Sequence, residues 1–242
     1  MVRRHIHYVN SRNRYSHDTH THLTVRLPSD ILGRNITSVR LDAVQVEQGY
    51  YSMNTTNNTF SVVDGSGTQT ITMPVGNYSS VTLPSALKTA LDAGTDRTWT
   101  ITFDTLTGTL SFAADGSFTL VPSTYSARWL GLTASLVSLG GSAVVSPNVC
   151  VLSGPMFLDV VCSHHVSSSE SGNPWKTNLL ARIPAETSST ANTIFWSSKN
   201  MTMQNLNTRS LGDLILSLYD DQGSAVELNG THWAATLIVE YD

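Results

Sequence analysis

From His232 to Tyr241 the side chains alternate, with Trp233, Ala235, Leu237, Val239 and Tyr241 in one phase and His232, Thr236 and Glu240 in the other. A period of two with one apolar phase specifies a strand buried on one face. Just before it, Leu214, Leu216 and Leu218 alternate with Ser217 and Tyr219, and the intervening DDQG and LNG carry the residues that tight turns need. A chain whose clearest signal is a pair of half-buried strands must cover that apolar face with a second sheet. The strands give way, at the other end of the sequence, to a polar N-terminal stretch.

Residues 1–20 show no sustained periodicity and are rich in Arg, His, Asn and Ser, which predicts an extended arm ordered only by a partner. Strand signals begin with Leu23, Val25 and Leu27 in HLTVRLP. In the next run Val39, Leu41 and Ala43 hold one phase and Val44 and Val46 the other, which predicts a bulge or a bend between sheets. From residue 58 to 132 the pattern changes. TQTIT reads as a strand, TLPSALKTALDAG places Leu83, Leu87, Ala90 and Leu91 at helical spacing, and WTITFD and TLSFAA flank the turn TLTG. FTLVP is a further strand candidate. This compact β-α-β-β module is expected as an insertion in a larger sandwich made of residues 21–57 and 133–242. Residues 133–147 are small and weakly periodic and predict a connecting loop, while NVCVLS, MFLDVVC, NLLARIP and NTIFWSS resume the strand pattern. Outside the module this gives roughly eight strands, the number of an antiparallel jelly-roll sandwich, so the expected class is all-β.

Only 13% of the 242 residues are charged, which suits strands joined by turns rather than salt-bridged helices. The net charge of -4 hides an asymmetry: Arg3, Arg4, Arg12 and Arg14 stand against Asp18 alone in the first 22 residues. These four arginines are the candidate contact residues of the arm, reaching phosphate, lipid headgroups or an acidic neighbouring subunit. No apolar run is long enough to span a membrane and the N-terminal residues lack the apolar segment of a signal peptide, so synthesis in a cytosol is expected. Cys150 and Cys162 are too few for a disulfide framework and are expected as buried thiols. Six Asn-X-Ser/Thr sequons, at Asn35, Asn54, Asn57, Asn77, Asn200 and Asn229, follow from an Asn/Thr-rich composition in that setting.

Candidate chemistry is sparse. In HDTHTH, His20 and His22 would share one face of a strand, and imidazoles so spaced can grip a transition metal. No Glu follows at the spacing a cupin-type site uses, and a further ligand would have to come from His164, His165 or His232, so a polar segment entering the first strand is the favoured reading. Cys162 beside His164 and His165 lacks the glycine-rich turn of an oxyanion hole, and GSGT at Gly65–Thr68 is too short for a phosphate loop. Asp220 and Asp221 suit a turn, and the aromatics form no stacking platform with basic residues, which argues against sequence-specific nucleic-acid recognition. No catalytic, cofactor-binding or metal-binding residue is expected.

Two stretches carry a resemblance. MPVGNYSSVTLPSALKTALDAG with WTITFDTLTGTLSF and ARWLGL resembles a module of capsid-associated proteins of eukaryotic double-stranded DNA viruses. SLGDLILSLYDDQGSAVELNGTHWAATLIVEYD resembles the closing strands of single jelly-roll penton or minor capsid proteins of virophages and polinton-like viruses. The resemblance implies a non-enzymatic structural protein of the virion capsid, assembled inside the host cell: a vertex subunit, five copies of which form a homopentamer. It also implies the major capsid protein and other minor capsid proteins as partners, with the insertion facing outward. The chain is too short for a double jelly-roll major capsid protein. Two other classes stay open: a receptor- or glycan-binding head using Tyr50, Tyr51, Tyr78, Trp99 or Trp129, and a cupin-type metalloenzyme using His20 and His22.

Overall fold

In a computed structural model, the structure describes residues 2–29, 31, 34–163, 178–185, 192–198, 204–206 and 213–242. In chain order the first elements are β1 (Arg3–Asn10), a 3-10 turn (Ser11–Asn13), β2 (His22–Arg26) and β3 (Ile36–Glu47). Then come β4 (Thr59–Asp64), β5 (Gly67–Thr72), α1 (Thr82–Gly94), β6 (Trp99–Asp104), β7 (Thr109–Ala114), β8 (Phe118–Pro122), α2 (Ala127–Leu130), β9 (Leu136–Ser138) and β10 (Val144–Val145). The chain closes with β11 (Phe157–Cys162), β12 (Leu179–Pro184), β13 (Thr193–Ser197), β14 (Gln204–Asn205), β15 (Asp213–Tyr219) and β16 (Trp233–Tyr241).

These elements form two compact units, Met1–Tyr50 with Pro155–Asp242, and Tyr51–Gly154. The first is an antiparallel jelly roll. One sheet runs β1-β16-β3-β13, with β14 also on β3, and the other runs β12-β11-β15-β2. Strands β1, β2, β3 and β11 alternate between the sheets, as do β15 and β16, while β11 and β12 form a hairpin within one sheet, and the first strand lies beside the last, as jelly-roll winding requires. A single core joins the two sheets, with Leu23 and Val25 from β2, Leu41 and Val46 from β3, Leu158 and Val160 from β11, Leu214, Leu216 and Leu218 from β15, and Trp233, Leu237 and Val239 from β16. Burying each of the aliphatic side chains among them contributes about 1.5–3 kcal/mol, which is why the alternation in β15 and β16 fixes their register.

The change of phase in β3 is a bulge. Thr236 and Leu237 of β16 face Ala43 and Leu41, so Asp42 is the extra residue, and a second irregularity leaves Thr37 between Ser38 and Ile36. Buried Val39 and Leu41 on one side of Asp42 give way to buried Val44 and Val46 on the other.

Two expectations about the jelly roll change. Residues 1–20 do not form a free arm: β1 pairs along its length with β16, from Arg3 opposite Tyr241 to Asn10 opposite Ala234. β16 is thereby an interior strand between β1 and β3. The missed strand takes the place of NVCVLS, which forms no strand.

In the second unit α1 lies where the helical spacing put it, with Leu83, Leu87 and Leu91 buried. Ser79 accepts from the backbone N–H groups of Val81 and Thr82 and so caps its start. The sheets β5-β4-β8-β9 and β10-β7-β6 share a core with α1 that contains Trp99, Phe112 and Phe118. Backbone bonds tie both flanks to this unit and move its limits outward from 58 and 132. Met53 and Gly76 exchange two N–H···O bonds, the Trp129 indole donates to the Asn57 carbonyl, and Cys150 N–H donates to the Gly108 carbonyl. Residues 133–147, expected as a loop, contain β9 and β10, pairing with β8 and β7. Strands of two or three residues are too short to show a period.

Candidate assembly surface

β1 is an edge strand with an inverted pattern. His5, His7 and Val9 turn toward the sandwich while Arg4, Ile6, Tyr8 and Asn10 turn out, leaving Ile6 51% and Tyr8 77% exposed. Burial, and secondarily the neighbouring His5, holds the His7 imidazole below its ordinary pKa. On the same outer face, at the other edge of the sheet, Phe195 of β13 is 72% exposed. Between them the register sets small residues side by side, Thr236 against Tyr8 and Ala43, and Ala234 against Asn10 and Gln45. The result is a shallow trough of about 450 Å³ with Tyr8 on one bank and Phe195 on the other.

Charged pairs lie at both ends of this apolar strip. At one end Arg4 donates to Glu240 at 2.7 Å, Ser38 donates to the other carboxylate oxygen at 2.8 Å, and Arg40 donates to Asp42 at 3.0 Å. The hydrogen bond from Ser38, followed by that from Arg4, holds the Glu240 carboxyl below the usual carboxylate range. At the opposite end Arg12 donates to Glu47 at 2.8 Å. An apolar centre with a polar rim is a layout that protein-protein contacts share.

Of the four arginines, Arg4 and Arg12 hold these intramolecular ion pairs, and Arg14 donates to the Ser11 carbonyl and to His20. Arg3 is exposed and has no partner among the described residues. They therefore belong to the sandwich rather than to a detached arm.

The remaining candidates are scattered. His20 packs against His232 with ring centroids 5.5 Å apart, whereas His22 meets the edge of Tyr219 at 5.9 Å. Among the described residues there is no group of three or more His, Cys, Asp or Glu side chains placed to hold a metal. The chain bends at His20 before β2 begins at His22, so the strand alternation that would have aligned the two does not reach both. His164 and His165 lie outside the described residues. Cys162 is buried in the jelly-roll core. Of the aromatics expected to present a binding surface, Trp99 and Trp129 are core residues, 0% and 4% exposed, because each packs on an aromatic neighbour, Phe118 and Phe60. Tyr78 is partly exposed with its hydroxyl bound to the Pro74 carbonyl, and Tyr51 is 38% exposed.

Sequence periodicity missed the trough because its banks, Tyr8 and Phe195, are far apart in the chain. The alternation of Arg4, Ile6 and Tyr8 against His5, His7 and Val9 was the available signal for β1.

The winding, the interleaved sheets and the insertion between β3 and β11 define a single jelly-roll protein of the kind that carries its extra domain in one connection. No family model matches the sequence, and no curated protein matches it. Among solved structures the fold is similar to the crystal structure of the selenomethionine-labelled mavirus penton protein, with a TM-score of 0.50 and 12% identity over 100% of both chains.

Proposed function

We propose that this protein is a structural subunit of a viral capsid, the penton at the vertices of an icosahedral particle. The observation that carries this reading is the likeness to a penton protein over the full length of both chains, insertion included. The apolar trough with its charged rim supports it, since a subunit that works by association needs such a face. In this reading five copies close into a ring, which removes exposed sheet edges. The major capsid protein and other minor capsid proteins are the remaining partners, Arg3, Arg4, Arg12 and Arg14 are contact residues at the β1 edge, and the protein resides in the virion of a double-stranded DNA virus.

Mass measurement of the purified protein, with particle images from negative stain, tests the proposal. A fivefold ring is expected, and Tyr8→Glu combined with Phe195→Glu should leave monomers with unchanged melting. A monodisperse trimer, or a monomer that never enters particles when co-expressed with its capsid proteins, would overturn it.

A further inference from the structure

The connection between β15 and β16 holds the only Asn–Gly pair of the chain, Asn229–Gly230. Thr231 N–H donates to the Leu228 carbonyl at 2.9 Å, and Asn229 and Gly230 have φ of 48° and 85°, which makes a type I′ turn. This turn grips the segment that leaves β3. Asn229 Nδ2 donates to the Gly49 carbonyl at 2.7 Å, Thr231 Oγ1 lies 3.0 Å from the Glu47 carbonyl, and a Cβ at Gly49 would sit 2.2 Å from the Leu228 carbonyl oxygen. Both central residues of the turn are exposed to water, and the Gly230 N–H has no acceptor among the described residues.

We infer that Asn229 is a site of spontaneous covalent modification, deamidation through a cyclic imide, which the closed turn holds back and which releases Gly49 once it has occurred. Hydroxide takes the Gly230 amide proton, the nitrogen bonds to Asn229 Cγ, and the Cγ–Nδ2 bond breaks, the amide nitrogen leaving as ammonia with a proton from water. Water then adds to either imide carbonyl and opens the ring to an aspartate or an isoaspartate at position 229. No electrons are exchanged, and water is the one co-reactant. Gly230 carries no Cβ to hinder its nitrogen. Two features of the closed turn oppose the first step. At φ 48° Asn229 occupies the left-handed basin, where the next nitrogen lies nearly opposite Cβ, whereas the five-membered ring needs it beside Cβ. The bond to the Gly49 carbonyl also fixes the side-chain amide. Ring closure therefore waits for the turn to open. Neither product can restore the clasp: a carboxylate has no N–H to give the Gly49 carbonyl, and an isoaspartate adds a methylene to the main chain of a two-residue turn. This inference stands on the turn geometry and does not depend on the capsid reading.

Peptide mapping by mass spectrometry of the full chain, kept folded or in guanidinium chloride in mildly alkaline buffer, tests it. Conversion of amide to acid at Asn229 should proceed in guanidinium and run at least ~10-fold slower in the folded protein. Equal rates, or no conversion in guanidinium, would overturn the inference. Gly49→Ala, which drives a methyl into the Leu228 carbonyl, should raise the folded rate at least ~3-fold and leave the guanidinium rate alone, and an unmoved folded rate rejects the gate. If that variant loses exchange protection in β3, Thr231→Val, which takes the hydroxyl away from the Glu47 carbonyl, decides with the same expectation. Asn229→Asp supplies one product directly. Its amides over residues 228–232 should exchange about 5-fold faster than wild type, and unchanged exchange rejects the release of Gly49.

Discussion

The buried Asp159 carboxylate on β11 takes hydrogen bonds at both oxygens from the guanidinium of Arg182, its register partner on β12, at 2.9 and 3.1 Å. The same guanidinium covers the Phe157 ring at 3.8 Å, so one residue ties two others of the neighbouring strand. Asp159 is 0% exposed, so weakening its charge pairing is costlier than losing a surface contact. Arg182→Met is expected to lower stability by about 3 kcal/mol in urea unfolding, and Asp159→Leu with Arg182→Met to recover most of the loss.

Removing residues 1–10 strips an edge strand from the sandwich instead of trimming a tail, because β1 pairs with β16 along all of Arg3–Asn10. The truncated protein is expected to melt at lower temperature and to aggregate through the newly bare edge of β16, as light scattering would record. Arg3→Glu, by contrast, should leave melting unchanged, since Arg3 is exposed and opposite Tyr241 at the strand end.

Acid should weaken the β1–β16 pairing through Glu240. Its folded pKa is held down by the hydrogen bonds from Ser38 and Arg4, so the stabilisation is complete above the unfolded carboxyl value and is lost as pH falls through the lower folded value. Melting followed from about pH 6 to pH 3 should therefore show wild type losing its advantage over Glu240→Gln below about pH 4.5, the two converging in acid.

Trp99→Ala is expected to cost about 3–5 kcal/mol, the range for emptying a buried aromatic site. The wild-type indole is 0% exposed, packs at 4.6 Å centroid distance on Phe118, and donates to Thr95 Oγ1 at 2.9 Å. The two units have separate cores, so exchange protection should fall in β4–β8 while β2, β11 and β15 keep theirs.

The most legible parts of the sequence were those where one phase of a run is uniformly apolar. β15, β16 and α1 meet that condition, and so does β3, whose reversal of phase at Asp42 announced a bulge. β1 fails it. Its inward positions are His5, His7 and Val9 at the rim of the sandwich, while Ile6 and Tyr8 point outward, so the alternation is intact but its hydrophobicity is reversed. Trp99 and Trp129 illustrate a different limit, because an aromatic residue has the same sequence signature in a core as on a binding face. The trough depends on which strands become neighbours, and that information resides in the pairing of β1, β16, β3 and β13 rather than in any one segment.

The central position of β16 dictates an order of events during folding. Neither β1 nor β3 has its neighbour until a strand more than a hundred residues downstream has been made, and the Arg4–Glu240 pair closes across 236 positions. The intervening unit can build its own core meanwhile. A nascent chain of this protein therefore carries three unpaired strands, β1, β2 and β3, through most of its synthesis, which makes slow, late closure of the sheets and a need for protection from premature strand pairing intrinsic to the topology.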